Sequence, residues 1–196
     1  MEVKLEKRYA VQADVLSAWA VLRDIRAVAG CMPGAAITEQ VDDKHYKGTV
    51  KVKVGPALAA FGGDIEVLEL DEAGRRMRML GKGADKGGSS ASMDLTAVIE
   101  AGEGRTSVLV GNSAVIVNGK FAQFGGRMMT QVSDMILDQF ADNFRAAAGA
   151  VAAQAAGNKQ AVVTPLPMRE LNALALAWGL IKRWFLRLFG RQPSVS

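Results

Sequence analysis

The sequence predicts an α+β domain in which one curved antiparallel sheet wraps around a long C-terminal helix. Three observations carry this. The run Phe121 to Ala156 places apolar residues at steps of three and four, the period of a helix with one buried face. Tyr46, Gly48, Val50, Val52 and Val54 alternate with Lys47, Thr49, Lys51 and Lys53, the period of a half-buried strand. In order, the chain reads as one strand, two short helices, about six hairpin-linked strands and the long helix.

Val3, Leu5 and Tyr9 alternate with Lys4, Glu6 and Arg8, a first strand with one wet face. Asp14 suits the N-cap of a helix over Val15 to Leu22, and Asp24 that of Ile25 to Ala29. Gly30-Cys31-Met32-Pro33-Gly34 forbids continuation. Strands follow at Ala36–Val41, Tyr46–Val54, Asp64–Leu70, Arg75–Leu80, Ala91–Ile99 and Thr106–Val117, separated by turns rich in Gly and Asp. Gly81 to Ser90 is expected to be a flexible connection, a candidate flap over a cavity mouth.

On the long helix, Phe121, Phe124, Met128, Val132, Met135, Ile136, Phe140 and Phe144 form the predicted apolar face. Arg127, Gln131, Asp134, Asp138, Asp142 and Arg145 form the predicted wet one. Helical Met and Phe stripes are usually core. Soft Met and large Phe also suit the wall of a cavity for a bulky apolar guest. Inward strand positions are expected to hold Gly48, Val50, Val52, Met77, Met79, Ala91, Met93, Ala97 and Gly111. Several are small, which leaves room under the helix or lets backbones approach closely.

The net charge is +4 over 196 residues, all of it in the tail. Residues 1–165 hold nineteen basic and nineteen acidic residues, whereas 166–196 hold five basic residues against Glu170. A balanced domain without aromatics interleaved among its basic residues argues against nucleic acid. Cys31 is alone, so no internal disulfide forms, and the charged first residues do not lead into an apolar signal segment. His45 sits in an acidic turn and is far from Cys31 in sequence, so no metal cluster and no catalytic residue are expected. The glycines from Gly81 to Gly88 lack the Lys-Ser/Thr of a phosphate loop.

Residues 157–167 carry two prolines and no periodicity and read as a linker. In residues 168–190, Leu171, Leu174, Trp178, Ile181, Phe185 and Leu188 share one helical stripe, flanked by Lys182, Arg183, Trp184 and Arg187. The uncharged stretch from Leu171 to Ile181 is shorter than the ~20 residues a bilayer requires. The pattern predicts a helix lying in a membrane surface. Its apolar burial is offset by the cost of ordering it, so attachment is reversible. Packing back on the domain, or against a second copy, is the competing reading, and penetration of the bilayer with Lys182 and Arg183 snorkelling is a third. Residues 191–196 are expected to be disordered.

The segments Cys31–Ala35, Tyr46–Pro56, Gly81-Lys82-Gly83 and Asn118–Gly125 together resemble the carbon monoxide dehydrogenase G-subunit family over about residues 1–150. The resemblance implies a helix-grip fold of the SRPBCC or START-like kind, with seven strands around an apolar cavity, for a domain set here at residues 1–156. It also implies a non-enzymatic accessory role beside a molybdenum-containing carbon monoxide dehydrogenase or related hydroxylase. The expected ligand is a respiratory quinone (menaquinone or ubiquinone) or another isoprenoid lipid, with no covalent cofactor. The expected location is the cytoplasm, attached to the inner face of the cell membrane through membrane lipids. The expected cavity residues are Tyr46, Val50, Val52, Phe61, Met77, Met79, Met93, Leu95, Phe121, Phe124, Met128, Val132 and Met135. Tyr46, Gln123 or backbone N–H groups near Gly62 and Gly63 are the expected polar contacts. A ligand-free membrane tether and a cyclase-like enzyme are the alternatives.

Overall fold

Period-two patterning emerges as one seven-stranded antiparallel sheet. The computed structural model describes residues 1–54 and 57–157. Its elements are β1 (Glu2–Val11), α1 (Val15–Leu22), α2 (Ile25–Cys31), β2 (Ala35–Gln40), β3 (His45–Val54), β4 (Ala57–Asp71), β5 (Arg76–Ala84), β6 (Ser90–Ala101), β7 (Ser107–Asn118), a 3-10 turn (Gly119–Phe124) and α3 (Gly126–Ala155). Hairpins join β2 through β7 in sequence, and β1 completes the order β1-β7-β6-β5-β4-β3-β2. The α1–α2 pair carries the chain from one sheet edge to the other. Bulges between Ile37 and Glu39 and between Val67 and Glu69 break strict register. Such bulges bend the strands and help curve the sheet.

Both short helices begin where their acids predict. The Asp14 carboxylate accepts from Leu16 N and Ser17 N at 3.0 Å each, and Asp24 accepts from Arg26 N at 2.8 Å and Ala27 N at 3.1 Å. Each satisfies N–H groups that a helix leaves orphaned at its start.

The long helix is not continuous from Phe121. Asn118 leads into the 3-10 turn, and α3 starts only after Gly125, whose φ of +77° suits a residue without a Cβ. The stretch predicted as a flap is also different. Gly81–Ala84 belongs to β5, paired with β4 and β6, so only Asp85–Ser89 connects β5 to β6. Gly63 is required there by close approach: a Cβ on it would collide with the Lys82 carbonyl of the neighbouring strand.

Two apolar clusters occupy the concave side. One gathers Trp19, Leu22, Ile25, Met77, Ile99 and Phe144 where α1, α2 and the second half of α3 meet the sheet. The other gathers Ala59, Val117 and Phe121, with Phe61, Phe124 and Val132 packed on them. Among the described residues no helix is long and apolar enough to cross a membrane. The linker and the surface helix read at 157–190 lie outside the described residues, apart from Gly157. So do Leu171, Leu174, Trp178, Ile181, Lys182, Arg183, Trp184, Phe185, Arg187 and Leu188.

Candidate ligand-binding cavity

Between the concave face of the sheet, α2 and the middle of α3 lies a cavity of about 420 Å³. That is within the size range of sites that enclose a drug-sized ligand. Its strand walls are built by alternation. Val50 and Val52 of β3, Phe61 of β4, Met77 and Met79 of β5, and Met93 and Leu95 of β6 all line it. Gly81 and Gly111 supply bare floor: a Cβ on Gly111 would meet nothing within 4 Å, and one on Gly81 only the tip of Met93 at 3.7 Å. These glycines widen the cavity, whereas Gly63 admits a neighbouring backbone.

Six of the expected cavity residues stand elsewhere. Tyr46 is buried in the first cluster, its hydroxyl 3.4 Å from Gln40 Nε2 and donating to the Asp43 carbonyl at 3.3 Å. Phe121 and Phe124 sit on the 3-10 turn and stack with ring centroids 5.9 Å apart, and Phe121 lies 5.8 Å from Phe61. With Val132 they belong to the second apolar cluster, outside the cavity lining. Met128 and Met135 face outward, the latter 61% exposed. At 100° per residue Met128 and Met135 lie about 120–140° around α3 from Phe140, beyond the edge of its buried face. Gln123 is exposed, and Gly62 and Gly63 are paired into ladders on both sides.

The α3 wall keeps Ile136 and Phe140 of the predicted apolar face and adds Ser133 and Leu137, and α2 contributes Ile25, Val28 and Ala29, with Met32 just past its end. From β1 come Leu5, Lys7 and Tyr9. Strand parity was the available signal for these, since Lys7 shares its face with Leu5 and Tyr9. The polar side of α3 meets this strand rather than water alone. Lys7 Nζ lies 2.8 Å from Asp134 Oδ1 in an ion pair, and that buried oxygen has no well-directed hydrogen bond among the described residues. The Tyr9 hydroxyl donates to Asp138 Oδ1 at 3.5 Å, and Arg145 Nε donates to the Ala10 carbonyl at 2.8 Å. The hydrogen bond to Asp134, foremost, raises the Lys7 pKa above its usual 10.5. Burial, foremost, raises that of Tyr9 above 10.0. At neutral pH both therefore act as hydrogen-bond donors.

Other titratable groups stand apart. Burial pushes the Cys31 thiol up to about 11, so it is an unreactive packing group. His45 Nδ1 lies 2.8 Å from the Asp42 carboxylate in the exposed β2–β3 turn, away from the cavity. Among the described residues no cluster of three or more His, Cys, Asp or Glu has metal-binding geometry.

The family model for the carbon monoxide dehydrogenase G-subunit (CoxG) matches residues 8–149, from within β1 to the last turns of α3. The chain belongs to that family. No match was found among curated proteins. Solved structures share the fold of this CoxG-family chain at low identity. A conserved protein from Geobacillus kaustophilus is 16% identical at a TM-score of 0.68, covering 75% of this chain and 95% of the other. The ZhuI aromatase/cyclase from Streptomyces sp. R1128 is 15% identical at 0.57, covering 76% and 94%. A START superfamily protein from Mycobacterium smegmatis is 13% identical at 0.53, covering 74% and 97%. The helix-grip, START-like fold expected from the motifs is therefore the fold present.

Proposed function

We propose that this CoxG-family protein is a non-catalytic accessory of a molybdenum-containing carbon monoxide dehydrogenase or related hydroxylase. It holds a respiratory quinone, menaquinone or ubiquinone, or a similar isoprenoid lipid between sheet and α3. It brings the enzyme to the inner face of the cytoplasmic membrane and links it to the quinone pool. The observation that carries this reading is the cavity, walled by Val, Met, Leu and Phe and floored by glycines. Apolar walls of this kind favour a hydrocarbon ligand through burial alone. The family match supports the choice of enzyme partner. The basic amphipathic pattern of residues 168–190 supports the membrane arm.

The test is native mass spectrometry of the full chain, purified without detergent from a quinone-containing host, followed by solvent extraction. The expected result is a stoichiometric added mass with a quinone's ultraviolet spectrum, lost in Gly111→Leu. That substitution fills the floor with a side chain that suits a strand better than glycine does. A bare polypeptide mass, unchanged after quinone is offered in vesicles, would refute the carrier and leave a ligand-free tether. Deleting residues 166–196 should release the protein from anionic vesicles. Continued binding would refute the role of the tail.

A further inference from the structure

The walls of the cavity are chemically unequal. On β3 to β6 the residues of inward parity are Val, Met, Leu, Phe, Ala and Gly, and the polar Thr49, Asp64, Lys82 and Ser92 that border the cavity alternate with them, whereas on β1, β7 and α3 Lys7, Tyr9, Ser113 and Ser133 stand among the lining residues. Leu5, two residues before Lys7 on the same face, shows that an aliphatic side chain fits this wall. The Lys7–Asp134 pair is half-exposed, and an ion pair of that kind contributes little to stability. Stability alone therefore does not account for a lysine here.

We propose that Lys7 and Tyr9 form a hydrogen-bonding subsite for a neutral carbonyl oxygen at the head of a prenyl or acyl chain. This rests on the reading of the cavity as a lipid site, and it fixes the ligand's orientation within it. The head lies at the β1–α3 seam and the chain runs toward Met79, Met93 and Phe61.

Three observations support it. First, there is room: Lys7 pairs in register with Gly111, where a Cβ would meet nothing within 4 Å, and Gly111's other neighbour is Ala97. Second, there are donors to spare. An ammonium carries three N–H groups, Asp134 engages one, and the Lys7 side chain is one-third exposed, at the rim of the cavity; the single Tyr9 proton is held by Asp138 only at 3.5 Å and would turn from it to the ligand. Third, the charge around the seam disfavours an anionic head. Lys7 and Arg145 are met by Asp134, Asp138 and Asp142, with Arg145 Nη1 2.7 Å from Asp142 Oδ1. A carboxylate entering beside Lys7 meets a net negative surround, whereas a quinone carbonyl needs only donors.

The test uses the full chain and three probes: a prenylated naphthoquinone, the same prenyl chain as a hydrocarbon, and a fatty acid of similar length. Binding is read by native mass spectrometry and by the quinone's absorbance band. The wild-type protein should bind the quinone about tenfold more tightly than either other probe, as one charge-assisted hydrogen bond implies. Lys7→Met combined with Asp134→Leu removes the pair without stranding a charge. It should bring quinone affinity down to that of the hydrocarbon measured on the same variant and abolish the band shift. Lys7→Arg should keep most of the preference. Tyr9→Phe, which leaves the ion pair in place, should weaken quinone alone and serves if the double variant does not fold. Equal wild-type binding of quinone and hydrocarbon, or a preference for the fatty acid, would overturn the subsite and leave the lipid cavity standing. Binding of none of the three would overturn both.

Discussion

The two halves of α3 share one helix and meet different surroundings. In the second half Ala141, Phe144 and Ala148 are almost wholly buried, and the helix packs on α1 and α2. In the first half no residue is fully buried; Ser133, Ile136 and Leu137 look onto the cavity, and the wall opposite is a sheet floored with glycine. One half is anchored as a core helix, and the other spans a space. A helix fixed at one end can roof a cavity because its packing energy is concentrated elsewhere. The difference separates residues that hold the fold from residues that face a ligand, and substitutions along α3 can break or sharpen it.

The largest effect is expected at the anchor. Phe144 is 0% exposed, with Phe140 at 5.9 Å between ring centroids. Phe144→Ala should cost about 3–5 kcal/mol, the range for truncating a buried aromatic. Thermal or denaturant unfolding checks this. A cost under about 1 kcal/mol would mean that the second half of α3 is no better anchored than the first.

A smaller effect is expected where α1, which supports that anchor, begins. Asp14→Ala should cost about 1 kcal/mol through loss of the N-cap. Hydrogen bonds from the Ser17 backbone, foremost, hold the Asp14 carboxylate below its ordinary 3.8. A carboxylate with a lowered folded pKa stabilises the protein above the unfolded value and loses that contribution as pH falls through the folded one. The gap in melting temperature between wild type and variant should thus be steady near neutrality and narrow below pH 3.8. A gap that widened on acidification would contradict the cap.

Much of this was legible in the sequence, for identifiable reasons. Most strands of the sheet announced themselves because each has one apolar face, and six of the seven cavity residues on β3 to β6 follow from parity; Phe61 does not, because β4 begins at Ala57 and the alternation there is interrupted by Gly62 and Gly63, so that the strand read from the sequence starts only at Asp64. Lys7 carried the same parity signal, and its charge concealed it: a lysine between glutamate and arginine reads as a wet residue until the strand is counted. The error on α3 has another cause. Apolar residues stand on both flanks of its first half, so the phase of the face could not be set locally. Phe121 and Phe124 extend, in sequence, a helical spacing that Gly125 interrupts. Packing of the second half on α1 and α2 sets the phase, and that information is not local.

The smallest expected effect tests this phase most sharply. Met135 is 61% exposed, although Ile136 beside it lines the cavity. Met135→Gln should change stability by no more than about 0.5 kcal/mol, as exposed substitutions do. It should also leave the ligand load unaltered. Ile136→Gln places an amide against apolar walls and should lower that load while the anchored half keeps the protein folded. Unfolding curves and native mass spectra of the two variants check both statements. If Met135→Gln empties the cavity and Ile136→Gln does not, α3 is rotated from the position described. The wall would then be the Met128–Met135 stripe that sequence spacing alone suggested.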